Sequence, residues 1–152
     1  MKIRSIISTG LLVVVMFILA LCRPVPAFAT STVTISPAGE GVFLLRGVGV
    51  EDAAALDIIV VYDTDTLANP RVIEGPLIAG AMTATNPNVP GTVRMAIVRL
   101  TPVKGSGLIA TLEFERTGSS PGKIISLSAR LANIKGDPLP VLTRVTIRPI
   151  HQ

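Results

Sequence analysis

Apolar and polar residues alternate with period two along much of the chain after residue 30. In "GLIATLEFER", Leu108, Ala110, Leu112 and Phe114 share one face, while Ile109, Thr111, Glu113 and Glu115 share the other. In "KIISLSARL", Ile125, Leu127, Ala129 and Leu131 alternate with Ser126, Ser128 and Arg130. Successive strand side chains point to opposite faces, so the apolar sets predict core-facing stripes and the polar sets predict solvent-facing ones. "LDIIVVY" differs. Leu56, Ile58, Val60 and Tyr62 form one face, but Ile59 and Val61 make the other apolar too. Such a strand is either covered on both sides or exposed at a partner-binding face. "VRMAIVRL" is intermediate, with Arg94 and Arg99 interrupting an apolar run and falling on opposite faces by parity.

The predicted strands are 31–36, 41–50, 56–62, 69–74, 93–100, 107–116, 123–131 and 141–148. Gly, Pro and Asn separate them. "NPNVPG", "TGSSPGK" and "KGDPLP" read as loops. "EDAAALD" is the only stretch with a helical leaning, through Ala53 to Ala55, and is too short to be a stable helix alone. Many short strands with turn signals predict an all-β antiparallel sandwich.

The N-terminus has a different character. Lys2 and Arg4 precede an apolar run from Leu11 to Leu21, and Ala27-Phe28-Ala29 offers small residues at a peptidase site. This predicts a secretory signal peptide over residues 1–29, cleaved after Ala29, and one domain over 30–152. A permanent span is disfavoured, because the run falls short of about 20 residues and Arg23 and Pro24 interrupt it. Contact with a membrane is thus expected only before cleavage. "LALC" resembles a lipobox, but Leu21 stands where a small residue is usual, so lipid anchoring through Cys22 is not expected. Cys22 is the only cysteine, and the mature chain has none for a disulfide.

Cleavage also removes Lys2, Arg4 and Arg23, and every acidic residue lies beyond Ala29. The formal charge of +4 becomes +1. No cationic cluster remains to neutralise a row of phosphates, so nucleic acid is not an expected partner.

Catalytic sets are missing. The single histidine, His151, is penultimate and a poor base or ligand. Zinc-type Cys/His spacing is absent, so no cofactor is expected. Asp63 and Asp65 resemble the start of a calcium loop but lack its later ligands, and a side-chain-capped turn is the better reading. Glu113 and Glu115 read as a solvated strand face. Tyr62, Phe43 and Phe114 are the only aromatics after residue 30, too few for a sugar-stacking platform, although a polar sugar cleft remains an alternative.

The order of features from Ala54 to Val141 resembles a cohesin domain of the cellulosome type. The resemblance runs through "AALDIIVVYDTDTLANPRVIEG", "GSGLIATLEFER" and "SSPGKIISLSARLANIKGDPLPV". It implies a jelly-roll sandwich of about nine strands, related to carbohydrate-binding modules. It also implies protein–protein binding without catalysis: cohesins hold dockerins, calcium-loaded helical modules, on one sheet face. On that reading Arg94, Ala96 and Val98 are the candidate partner-binding residues. Polysaccharide binding, or a structural role at the cell surface, is the alternative on the same fold.

Overall fold

The computed structural model describes residues 30–147, with the side chain of Pro87 excepted. The expected signal peptide, its cleavage at Ala29, Cys22 and His151 lie outside these residues. Eight strands follow in chain order: β1 (Ser31–Gly39), β2 (Val42–Tyr62), β3 (Leu67–Glu74), β4 (Met82–Val89), β5 (Thr92–Arg116), β6 (Ile124–Ala132), β7 (Pro138–Leu139) and β8 (Val141–Val145). A single 3₁₀ turn, Pro76–Ile78, joins β3 to β4.

Two strands, β2 and β5, are long because each serves both layers of a sandwich. The first half of β2, around Val42–Gly47, pairs with β1 and with the Gly107–Glu113 part of β5. Its second half, Ala55–Val61, pairs with the Thr92–Val98 part of β5 and with β6. Layer one therefore runs β3–β5–β2–β1–β8, and layer two runs β4–β5–β2–β6–β7. The register slips repeatedly at the corner between them, from Gly47 to Ala55. Positive φ values of 61° at Gly49, 57° at Asp52 and 101° at Gly105 turn the backbone there. Counting β2 and β5 once in each layer, and setting aside the two-residue β7, gives the expected nine segments.

Three expectations change at the level of single elements. "EDAAALD" is strand, because Ala53 and Ala55 find ladder partners in Val103 and Val98, and three alanines cannot nucleate a helix against that pairing. "NPNVPG" is a loop only at Pro90-Gly91. Asn86 and Val89 belong to β4, which is paired on one side only, where proline is tolerated. All pairs are antiparallel except β1 with β8, which run parallel from Ser31↔Val141 to Ile35↔Val145. The chain reaches β8 after crossing over from layer two, so it enters layer one at the end where β1 begins.

The core lies between the layers. Val33, Leu45, Ile58, Val60, Met95 and Leu112 are completely buried. Phe43, Tyr62 and Phe114 pack together at one end. Phe114 meets Phe43 edge-on at 5.8 Å and Tyr62 at 4.8 Å between ring centres.

Simple alternation fails at two bulges. Leu45 faces Ala110 and Arg46 faces Leu108, which leaves Ile109 as an extra residue. The bulge turns Ile109 inward, and it is fully buried rather than on the face with Thr111 and Glu113. In β6, Val61 faces Ser126 and Tyr62 faces Ile124, so Ile125 is the extra residue. Ile124 takes the core position and Ile125 is left exposed.

Candidate protein-binding face

The outer surface of layer two is the face to which the sequence assigned a partner. Along β5, Val93, Met95 and Ile97 point into the core. Arg94, Ala96 and Val98 alternate with them and are all exposed. Strand pairing then extends each of these residues into a row across four strands. Asn86, Arg94, Ile59 and Ser128 form one row. Ala84, Ala96, Asp57 and Arg130 form the next, and Met82, Val98, Ala55 and Ala132 the third.

The three sequence-predicted residues thus sit together, on the second strand of this face. Small side chains at Ala55, Ala84, Ala96 and Ala132 keep the surface low. Larger apolar groups stand at its margin, with Met82 81% and Val98 52% exposed. Leu100 and Ile134, further toward the same end, are also exposed. Ile59 and Val61 are partly exposed on this surface, so the doubly apolar strand is not fully covered on its outer side. Uncovered aliphatic side chains among alanines mark an interaction surface more often than a solvated one.

One ion pair crosses the middle of the face. Arg94 donates from Nε to Asp57 Oδ1 and from Nη2 to Asp57 Oδ2, both at 2.9 Å. Asp57 lies directly opposite Ala96, so this is a diagonal cross-strand contact with bidentate geometry. The hydrogen bond to Asp57, and then its negative charge, raise the Arg94 pKa above the ordinary arginine value. Arg130, register partner of Asp57 on its other side, makes no ion pair among the described residues.

Residues missed by the sequence reading are Met82 and Ala84, which belong to the unrecognised β4. Their signal was the apolar/polar alternation of "MTAT", masked by the Asn and Pro that follow.

The other candidate chemistry has structural roles. Asp63 Oδ1 accepts the Asp65 N–H at 3.0 Å, and the Asp63 carbonyl accepts the N–H groups of Thr66 and Leu67. The Asp63 side chain and carbonyl therefore shape the turn into β3, as expected, while Asp65 takes part through its backbone. Glu113 lies 3.9 Å from Arg71, and Glu115 accepts from Asn69 at 2.7 Å, both on the outer surface of layer one. Phe43, Tyr62 and Phe114 are all buried, so among the described residues no aromatic ring stands exposed as a stacking platform for a sugar.

Comparison with solved structures places this architecture among cohesin modules. A non-cellulosomal cohesin from the archaeon Archaeoglobus fulgidus is similar with a TM-score of 0.63 at 14% identity, covering 82% of this chain and 100% of that one. The sixth cohesin of scaffoldin B from Acetivibrio cellulolyticus, solved in complex with a Cel5 dockerin, gives 0.63 at 15% identity, with 79% and 100% covered. A type I cohesin–dockerin complex from Clostridium thermocellum gives 0.61 at 11% identity, with 80% and 93% covered. No family model and no curated protein matches the chain. The fold is the cohesin fold, as the sequence resemblance implied, and two of the structures compared are complexes with dockerins.

Proposed function

We propose that this protein is a secreted, non-catalytic binding module that holds a dockerin-type helical protein on the outer face of layer two. The observation that carries the reading is the low, aliphatic surface built from Met82, Val98, Ile59 and the four alanines, with Arg94 and Asp57 locked across it. A flat surface with small side chains admits a helix backbone closely, and its apolar margin supplies the desolvated contacts on which interfaces depend. Two of the solved structures with this fold contain dockerins. Secretion is supported by the signal-peptide layout of residues 1–29.

The test is calcium-dependent capture of dockerin-bearing proteins by the purified module, beside the Val98→Asp variant. Val98 is half-exposed, so a charge there leaves the fold intact but places an unpaired carboxylate on the apolar margin of the interface. The wild type should retain a dockerin-bearing partner in calcium, release it on chelation, and lose it in the variant. Capture that Val98→Asp leaves unchanged would remove this face from the reading. No capture of any dockerin-bearing protein would remove the partner.

A further inference from the structure

A groove of about 720 Å³ opens at the end of the sandwich where β1 turns into β2. It lies away from the Met82–Leu100 end of the binding face and is independent of it. Its floor is core: Ile35, Phe43 and Ile124, each less than a tenth exposed. Pro37, Pro121 and Val145 line its sides. This volume is within the range of small-molecule sites, which are mostly apolar with a few placed polar groups.

The charges around the groove are not equivalent. Arg116 is engaged at both Nη atoms, while its buried Nε has no hydrogen-bond partner among the described residues. Its Nη1 lies 2.8 Å from Glu40, and its Nη2 donates to the carbonyls of Gly118, Ser119 and Ser120 at 3.4, 3.0 and 3.1 Å. That fan of bonds fixes the Gly118–Ser120 loop as a wall and cancels the arginine charge against Glu40. Lys123 has no carboxylate in ion-pairing distance among the described residues. Its backbone is held on both sides, the N–H by Thr66 Oγ1 at 3.3 Å and the carbonyl by the Asp63 N–H at 3.0 Å. Lys123 is thus anchored through its backbone at the border of the apolar groove, with a cation that has no carboxylate partner among the described residues.

We propose that this groove binds a free amphipathic carboxylate, with an unbranched apolar body along Ile35, Phe43 and Ile124 and its single anionic head at Lys123. The apolar floor and the one free cation among the described lining residues define this ligand together. A sugar would leave its hydroxyls against Ile35 and Phe43 without partners. A membrane surface calls for several cations, each adding about 1 kcal/mol, and the described lining residues offer one that is free.

The experiment is titration of the purified protein with cis-parinaric acid, whose fluorescence rises in apolar surroundings. Competitors are dodecanoate below its micelle concentration, uncharged dodecanol, and vesicles of anionic phospholipid. Saturable binding should be displaced by dodecanoate and roughly tenfold less well by dodecanol, the difference a charge-assisted contact makes. Lys123→Glu should weaken parinarate by a similar factor without moving the melting temperature, since Lys123 is exposed. Gly39→Trp should block the groove. Gly39 lines it without a left-handed φ, and a Cβ there meets only the Val42 Cβ, at 3.9 Å. Val98→Asp should leave parinarate binding unchanged, which separates this proposal from the dockerin reading. Absence of saturable binding, equal displacement by dodecanol with Lys123→Glu unaffected, or displacement by vesicles alone would each overturn it.

Discussion

The bulge that buries Ile109 can be tested with two isoleucines of identical chemistry. Strict alternation along β5 places Ile109 outside with Thr111 and Glu113. The structure buries it completely, with its Cδ1 only 3.3 Å from where a Cβ on Gly47 would lie. Alternation along β6 places Ile125 inside, and the structure leaves it 56% exposed. Ile→Ala at a fully buried site removes three methyl or methylene carbons and leaves a cavity, at a cost of about 2–5 kcal/mol. The same change at a half-exposed site falls within about 0.5 kcal/mol. For a domain of this size each kcal/mol moves the melting temperature by roughly 4 °C. Ile109→Ala should therefore melt about 8–20 °C below the wild type, and Ile125→Ala within about 2 °C of it. Thermal unfolding followed by far-UV circular dichroism measures both melting temperatures, and urea unfolding with an unchanged m-value gives the matching free energies. If the two variants melt together, or in reverse order, the bulges are misplaced and simple alternation is right.

Two further perturbations probe backbone and core. Gly75 is extended, at φ −96° and ψ 165°, so alanine is conformationally acceptable there. Its methyl would nonetheless run into the Leu108 carbonyl, 2.6 Å from the carbon and 2.9 Å from that of Ile109. Gly75→Ala should cost about 1–3 kcal/mol through overpacking against backbone. Gly49→Ala, in open space but at φ 61°, should cost only about 1 kcal/mol through conformation, and calorimetry ranking them the other way would contradict the packing. Leu112→Asp should prevent stable folding by burying an unpaired charge, whereas Glu113→Ala should shift stability by a few tenths of a kcal/mol, because its ion pair with Arg71 is solvent-exposed. Similar unfolding midpoints for that pair would refute the facing of β5.

Where a strand has one wet face, its residues were readable from period two alone. Val93, Met95 and Ile97 are inside for that reason, and Arg94, Ala96 and Val98 are outside. The apolar outer positions Ile59 and Val61 were the clearest sign of an unusual surface. What alternation cannot show is an inserted residue, since "LIA" and "KII" supply an apolar side chain at either parity. Nor could it pair strands: Asp57 becomes the partner of Arg94 only through the β2–β5 register, 37 positions apart in sequence. The edge strand β4 was hidden because turn-forming Asn and Pro are acceptable where one side of the ladder is unpaired. The parallel placing of β8 depends on the route of the whole chain, which no local signal encodes.

That parallel pair has a mechanical consequence. The domain begins at the Ser31 end of β1 and closes at the Val145 end of β8, at opposite ends of one five-rung ladder. Tension applied between the two ends of the domain draws the two strands past each other along their length. All rungs then carry load at once, and they cannot be peeled open one by one. Resistance to such a pull is set by the rate of unfolding and not by equilibrium stability. Pulled between residues 30 and 147, a domain wired in this way resists in shear along β1 and β8.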